Sequence, residues 1–210
     1  MSGFNQLMMR SKELKLNANI LGNPIIDNDY ILKGFNNNNY VYWKLANPTT
    51  NPFNWRATVK FRINDLDQIN VVIFGVKPST QGFKIAYNND GAGKYGLSCL
   101  IGNSSDWINT SSTSRYQIKN VYTTTGEWWW LDLSFNSSTK QILLKRSVDG
   151  TTYANLLNIT VSSNSNFANN TEEIVGFSSQ ISDITTNKAD IDLKEIKYYI
   201  NGNLSFAVVS

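Results

Sequence analysis

Asp190-Ile191-Asp192-Leu193-Lys194-Glu195 puts three carboxyl groups within one short segment. Retaining glycoside hydrolysis needs two carboxyl groups about 5–5.5 Å apart, one acting as nucleophile and the other as acid. On a regular strand positions 190 and 192 share a face and 195 points away, so a β-bulge must intervene before Glu195 can join them. The apolar phase does shift here: Ile191 and Leu193 alternate one way, while Ile196, Tyr198 and Ile200 alternate the other. A second kind of chemistry is suggested by Asp27-Asn28-Asp29 and Asp65-Leu66-Asp67, short oxygen clusters of the sort calcium accepts. Asp and Asn also populate turns for backbone reasons alone. The expectation is therefore no cofactor, with Asp27, Asp29, Asp65 and Asp67 as the residues that would hold Ca2+ if an ion is bound. Third come aromatic side chains on polar ground. Trp107 lies among Ser, Asn and Asp, Tyr116 and Tyr122 flank a polar loop, and Trp128 and Trp130 alternate with an apolar stripe. Sugar faces stack on exposed rings, which adds ~0.5–1.5 kcal/mol beyond area burial. Trp107, Tyr116, Trp128 and Trp130 are thus candidate glycan contacts; the competing reading of Trp128 and Trp130 is burial between sheets or against a neighbouring subunit.

What is missing narrows the field. The chain has no histidine, which removes histidine-dependent triads, zinc hydrolases and most proton shuttles. Its single cysteine, Cys99, cannot form an intrachain disulfide and reads as a small apolar filler in a strand. Net charge is +3, from 19 basic and 16 acidic residues scattered along the chain, and no run of Lys and Arg resembles a phosphate-tracking stripe. Nucleic acid is not an expected partner. No apolar stretch reaches the ~20 residues of a membrane span, and Met1 to Lys12 carries no secretory pattern, so folding in the cytoplasm is expected.

These residues must be positioned by strands. Alternation of period two dominates, and no long helical stripe appears. Trp55, Ala57, Val59, Phe61 and Ile63 face one way, and Asn54, Arg56, Thr58, Lys60 and Arg62 the other. That is the signature of a sheet with one face on the core and one in water. Val71–Val76, Gly82–Tyr87 and Tyr95–Gly102 read as further strands, with a turn at Asn88-Asn89-Asp90-Gly91. Trp129, Leu131, Leu133 and Phe135 share a face, opposite Trp128, Trp130, Asp132 and Ser134. Asp149-Gly150 joins Ile142–Val148 to Thr152–Ile159 as a hairpin. Over 210 residues, many short strands with frequent turns predict an all-β fold of two stacked antiparallel sheets. Residues 1–20 stand apart: Phe4, Leu7 and Met8 share a helical face, and Leu14 and Leu16 alternate. They read as an arm, either docking or loosely ordered, ahead of a sandwich over 21–210.

Five blocks occur in order. They are Gly34-Phe35 to Tyr40; Asn51-Pro52-Phe53-Asn54-Trp55; Ser104-Ser105-Asp106-Trp107-Ile108; Gly126 to Trp130; and Ile191-Asp192-Leu193-Lys194-Glu195 leading to Ile200-Asn201-Gly202-Asn203-Leu204. This succession resembles the concanavalin A-like (laminin G-type) jelly-roll modules of bacteriophage virion structural proteins, over about residues 20–206. Asn203 departs from the basic residue of the closing block. The resemblance implies a jelly-roll topology and a virion protein, capsid- or tail-associated, assembled in the host cytoplasm and acting by binding. It implies other virion proteins as partners and a homo-oligomer (trimer or dimer); a host-surface glycan as ligand is the expectation from the aromatic candidates instead. Glucanases of the same fold carry Glu-x-Asp-x-x-Glu on their active strand; here Asp190 stands one methylene short at the first position. In the virion modules that segment is structural, its acids pairing with lysines at the rim. The expectation is therefore a protein that is not an enzyme. The alternatives are a particle-associated glycoside hydrolase and a scaffold or adaptor without an external ligand.

Overall fold

The computed structural model describes residues 19–21, 25–26, 32–33, 40–44, 53–67, 71–77, 83–88, 96–102, 108, 116–118, 121, 124–165, 173–176 and 190–209. Every element in them is a β-strand. In spatial order the first sheet holds β1 (Asn19–Leu21), β4 (Tyr40–Lys44), β13 (Glu173–Gly176), β6 (Val71–Lys77), β7 (Phe83–Asn88), β8 (Gly96–Ile101) and β9 (Tyr116–Ile118). The second holds β12 (Ala154–Thr160), β11 (Gln141–Ser147), β10 (Trp129–Asn136), β5 (Trp55–Ile63), β14 (Ile191–Ile200), β3 (Leu32–Lys33) and β2 (Ile25–Ile26). There β15 (Asn203–Val209) also pairs with β14. Neighbours pair antiparallel throughout, and strands far apart in the chain lie side by side, as β5 does between β10 and β14. The fold is the two-sheet antiparallel jelly-roll sandwich that the alternation and the block order predict.

The core lies between the sheets and follows the period-two pattern. β5 buries Trp55, Ala57, Val59, Phe61 and Ile63, while β10 buries Trp129, Leu131, Leu133 and Phe135. From the opposite sheet come Phe83, Ile85 and Tyr87 of β7, with Leu97, Cys99 and Ile101 of β8. Trp55 stacks on Phe83 across the gap with centroids 4.7 Å apart, and on Phe135 beside it at 6.1 Å. Phe83 also stacks on Tyr198 of β14 at 6.1 Å, so one row of rings ties both sheets together. Each fully buried large side chain stabilises by about 1.5–3 kcal/mol.

Two details refine the sequence reading. The segment around Asp149-Gly150 does make a hairpin, but its connection extends beyond residues 149–151, because β11 ends at Ser147 and β12 begins at Ala154. Asp149 Oδ1 accepts the backbone N–H of Thr151 and of Thr152, each at 2.7 Å, and Ser147 Oγ accepts that of Gly150 at 2.9 Å. The N–H groups of Thr152 and Thr151, then the Ser147 hydroxyl that donates to Asp149 Oδ1 at 2.8 Å, hold the Asp149 carboxyl well below the usual carboxylate range. The second detail is the phase change in β14. Its register against β5 shifts between Leu193 and Glu195, so Leu193 and Ile196 are both buried and the two residues between them turn outward. The arm expected over 1–20 lies outside the described residues apart from the first two residues of β1.

Candidate functional site

Trp128 and Trp130 stand at the start of β10, on the face turned away from the core stripe of Trp129, Leu131 and Leu133. Both are half-buried. They are not packed between the sheets; strand pairing brings cations to them instead. Trp130 is opposite Lys60 of β5 in register, and the Lys60 ammonium lies 4.3 Å from the Trp130 ring centroid. On the β11 side, a Cβ at Gly150 would come 3.0 Å from Cε2 of the same ring. The Trp130 ring is thus flanked by Lys60 from one neighbouring strand and by the Gly150 loop from the other. Around Trp128 gather Arg62 at 4.9 Å, Lys60 at 5.5 Å and Lys194 at 5.9 Å from the centroid. A cation over an indole face is attracted by the ring quadrupole, worth ~0.5–1 kcal/mol at exposed sites.

The array extends along the same outer face. Arg56 forks onto Asp132 with two bonds of 2.8 Å and lies 5.5 Å from the Tyr199 ring. That hydrogen-bonded carboxylate raises the Arg56 pKa. Tyr153 nearby is pushed up by burial first and by the Asp132 charge second. Lys60 is pulled down by burial and then by the Lys194 charge, against an opposing effect of Glu195. At the far end Arg62 grips Asp192 at 2.6 Å, and Asn64 Nδ2 donates to Asp192 at 3.0 Å and to Asp190 at 3.3 Å.

The bulge in β14 does bring Glu195 to the outer face on which Asp192 stands, as the apolar phase shift predicts. Yet Asp192, only 3% exposed, is held by Arg62 and Asn64, and Glu195 is held by Lys197 at 3.2 Å. Acid–lysine pairing is therefore right for Glu195, whereas Asp192 takes an arginine. Asp192 thus ties β14 to β5, whereas the Glu195–Lys197 pair lies within β14.

The other candidates lie elsewhere. Tyr116 opens β9, the edge strand of the first sheet, away from the Trp128 array. Trp107, Asp27 and Asp29 lie outside the described residues. Asp65 and Asp67 are exposed in a turn where Asp65 accepts the backbone N–H of Asp67 at 2.8 Å, which is ordinary turn chemistry. Among the described residues no group of three potential metal ligands comes together. The residues that sequence reasoning missed are Lys60, Arg62 and Lys194. Their signal was present as the polar phase of β5, but its meaning depends on which strand pairs with β5.

No family model matches the chain, and no curated protein does. Solved structures match in fold, among them receptor-binding domains of botulinum neurotoxins. One is botulinum neurotoxin type C, which depends upon interaction with two ganglioside molecules to enter cells; it has a TM-score of 0.60 at 12% identity. A second is the binding domain of botulinum neurotoxin DC in complex with rat synaptotagmin II, with a TM-score of 0.59 at 13% identity. The serotype D binding domain gives 0.60 at 11%. Each match covers 90% of this chain but only 43–44% of the neurotoxin chain, so the protein spans less than half of the structures it resembles.

Proposed function

We propose that this chain is a bacteriophage virion protein, a decoration or fibre component of capsid or tail, that works by binding a glycan on the host surface. The observation that carries the binding reading is the outer face of the second sheet. There Trp128 and Trp130 sit outside the buried core, among Lys60, Arg62 and Lys194. Large aromatic side chains kept at a solvent face are what recognition surfaces are enriched in. The shared fold with neurotoxin binding domains, one of them from a toxin that interacts with gangliosides and another bound to synaptotagmin II, supports a module that holds rather than transforms its partner. Fold alone does not assign a ligand, so the face carries the argument. The virion setting rests on the order of the sequence blocks from Gly34 to Leu204.

In this reading residues 1–20 attach the protein to other virion proteins, and Trp107 and Tyr116 are further candidate glycan contacts. The protein acts as a dimer or trimer. Several copies on one particle turn a weak site into firm attachment through effective concentration. The test is co-purification with phage particles, followed by a glycan array comparing the wild type with Trp128→Ala and Trp107→Ala. Specific binding weakened by Trp128→Ala is the expected result. A protein that binds no glycan in any form is a scaffold, and cleavage of a bound polysaccharide that stops in Asp192→Asn would make it a hydrolase.

A further inference from the structure

We propose that the outer face of the first sheet carries a second binding site, independent of the tryptophan array, in which Lys84 and Ser98 together take the carboxylate of a small ligand.

Alternation places the site. In β7 the core residues Phe83, Ile85 and Tyr87 leave Lys84 and Ala86 on the opposite face. In β8 Leu97, Cys99 and Ile101 leave Gly96, Ser98 and Leu100 there. Register sets Ala86 against Ser98 and Lys84 against Leu100, so Lys84 and Ser98 are diagonal neighbours on adjacent strands. On its other side Lys84 is opposite Gly75 of β6, where a Cβ would come 3.0 Å from Lys84 Cα and 3.1 Å from Lys84 Cβ. Small residues thus surround one long cationic side chain.

A lysine on the outer face of a sheet ordinarily lies in water and needs no partner. This one does not lie in water: Lys84 is 7% exposed and Ser98 3%. Among the described residues the Lys84 ammonium has neither an ion pair nor a hydrogen bond, and the buried Ser98 hydroxyl has no hydrogen bond either. The two do not bond each other, so Lys84 does not activate Ser98 as a nucleophile. Burial lowers the Lys84 pKa, and no carboxylate offsets it among those residues. Buried polar groups are nearly always satisfied, and a buried charge without a partner is costly. Two such exceptions side by side call for one shared partner.

Charge selects that partner. An oxyanion accepts from the ammonium with one oxygen and from the hydroxyl with another. A carboxylate leaves a neutral pair with Lys84, whereas a phosphate or sulfate dianion would leave a buried negative charge uncompensated. Near-complete burial admits only a compact group, and a free carboxylic acid and the carboxyl arm of a sugar acid present the same one.

Calorimetric titration of the full chain with acetate, glucuronate, phosphate and sulfate, at fixed ionic strength in chloride, tests this. The expected result is saturable binding of acetate or glucuronate at one site per chain, at least about tenfold weaker in Lys84→Met and several-fold weaker in Ser98→Ala. Tighter binding of glucuronate points to a sugar acid as the source, and tighter binding of acetate to a free acid. Without carboxylate, Lys84→Met should melt no lower than the wild type, because it removes an unpaired buried charge. With carboxylate, only the wild type should gain melting temperature. If Lys84→Met does not fold, Ser98→Ala decides alone, and undiminished carboxylate binding by it overturns the proposal. So does binding of no carboxylate, equal binding by Lys84→Met, or a preference for phosphate or sulfate; Lys84 is then a neutral amine that fills the face. The glycan array with Trp128→Ala reads the other sheet, so the two proposals fail separately.

Discussion

Cys99 is fully buried in β8, and burial pushes its thiol up to about 12. Desolvation penalises the charged form, so almost no thiolate exists near neutrality and the sulfur is chemically inert while the fold holds. The native protein should therefore leave an aromatic disulfide reagent unreacted at pH 8, and denaturant should release one equivalent at once. Rapid labelling of the native chain would mean that the sheet opens at β8. This residue's role was legible beforehand, because a small thiol in an alternating apolar strand has few other uses. The roles of Trp128 and Trp130 were only half legible. Their phase placed them away from the core stripe, but whether their rings met water, another sheet or a cation depended on side chains distant in sequence. Lys60 and Trp130 are seventy positions apart and face each other only because β5 pairs with β10.

At the scale of elements, the β11–β12 hairpin shows how a loop can hold a side chain of a neighbouring strand. Gly150 has φ of +78° and lies against the Trp130 indole, whereas Gly202 in the β14–β15 turn has φ of +82° with nothing near its missing Cβ. Alanine at either position meets left-handed backbone, which costs about 1–2 kcal/mol. Only at position 150 does it also crowd a ring, whose nearest atoms would lie 3.0–3.2 Å away. Gly150→Ala should therefore destabilise more than Gly202→Ala in urea unfolding, and should alone shift tryptophan emission and weaken glycan binding. Equal losses from both would remove the loop from the site. Strands were readable wherever one face is buried, as in β5, because alternation is set by burial itself. The bulge in β14 was readable for the same reason, since two apolar phases meet there. Pairing order was not, because a strand's own pattern says which face is wet and not which neighbour it has.

For the molecule as a whole, the governing fact is how far apart its partners lie in the chain. Arg62 and Asp192 are 130 positions apart, and Asn54 bonds Asn201 across 147. The central strand of the second sheet thus cannot be completed until most of the chain is in place. Loop closure on this scale has to precede the contacts that reward it, so refolding should take milliseconds to seconds or longer, as is usual of sandwiches with non-local pairing. Stopped-flow tryptophan fluorescence measures this directly; microsecond refolding would mean that a local unit folds by itself. The sandwich itself was legible from alternation and turns, while its jelly-roll topology came from the resemblance alone. One further consequence follows from the make-up of the outer face of the second sheet. Its charges are arginine, lysine, aspartate and glutamate in a chain without histidine, so no group there has an ordinary titration midpoint in the mildly acidic range. A contact made through such a face should therefore change more with salt than with mild acid.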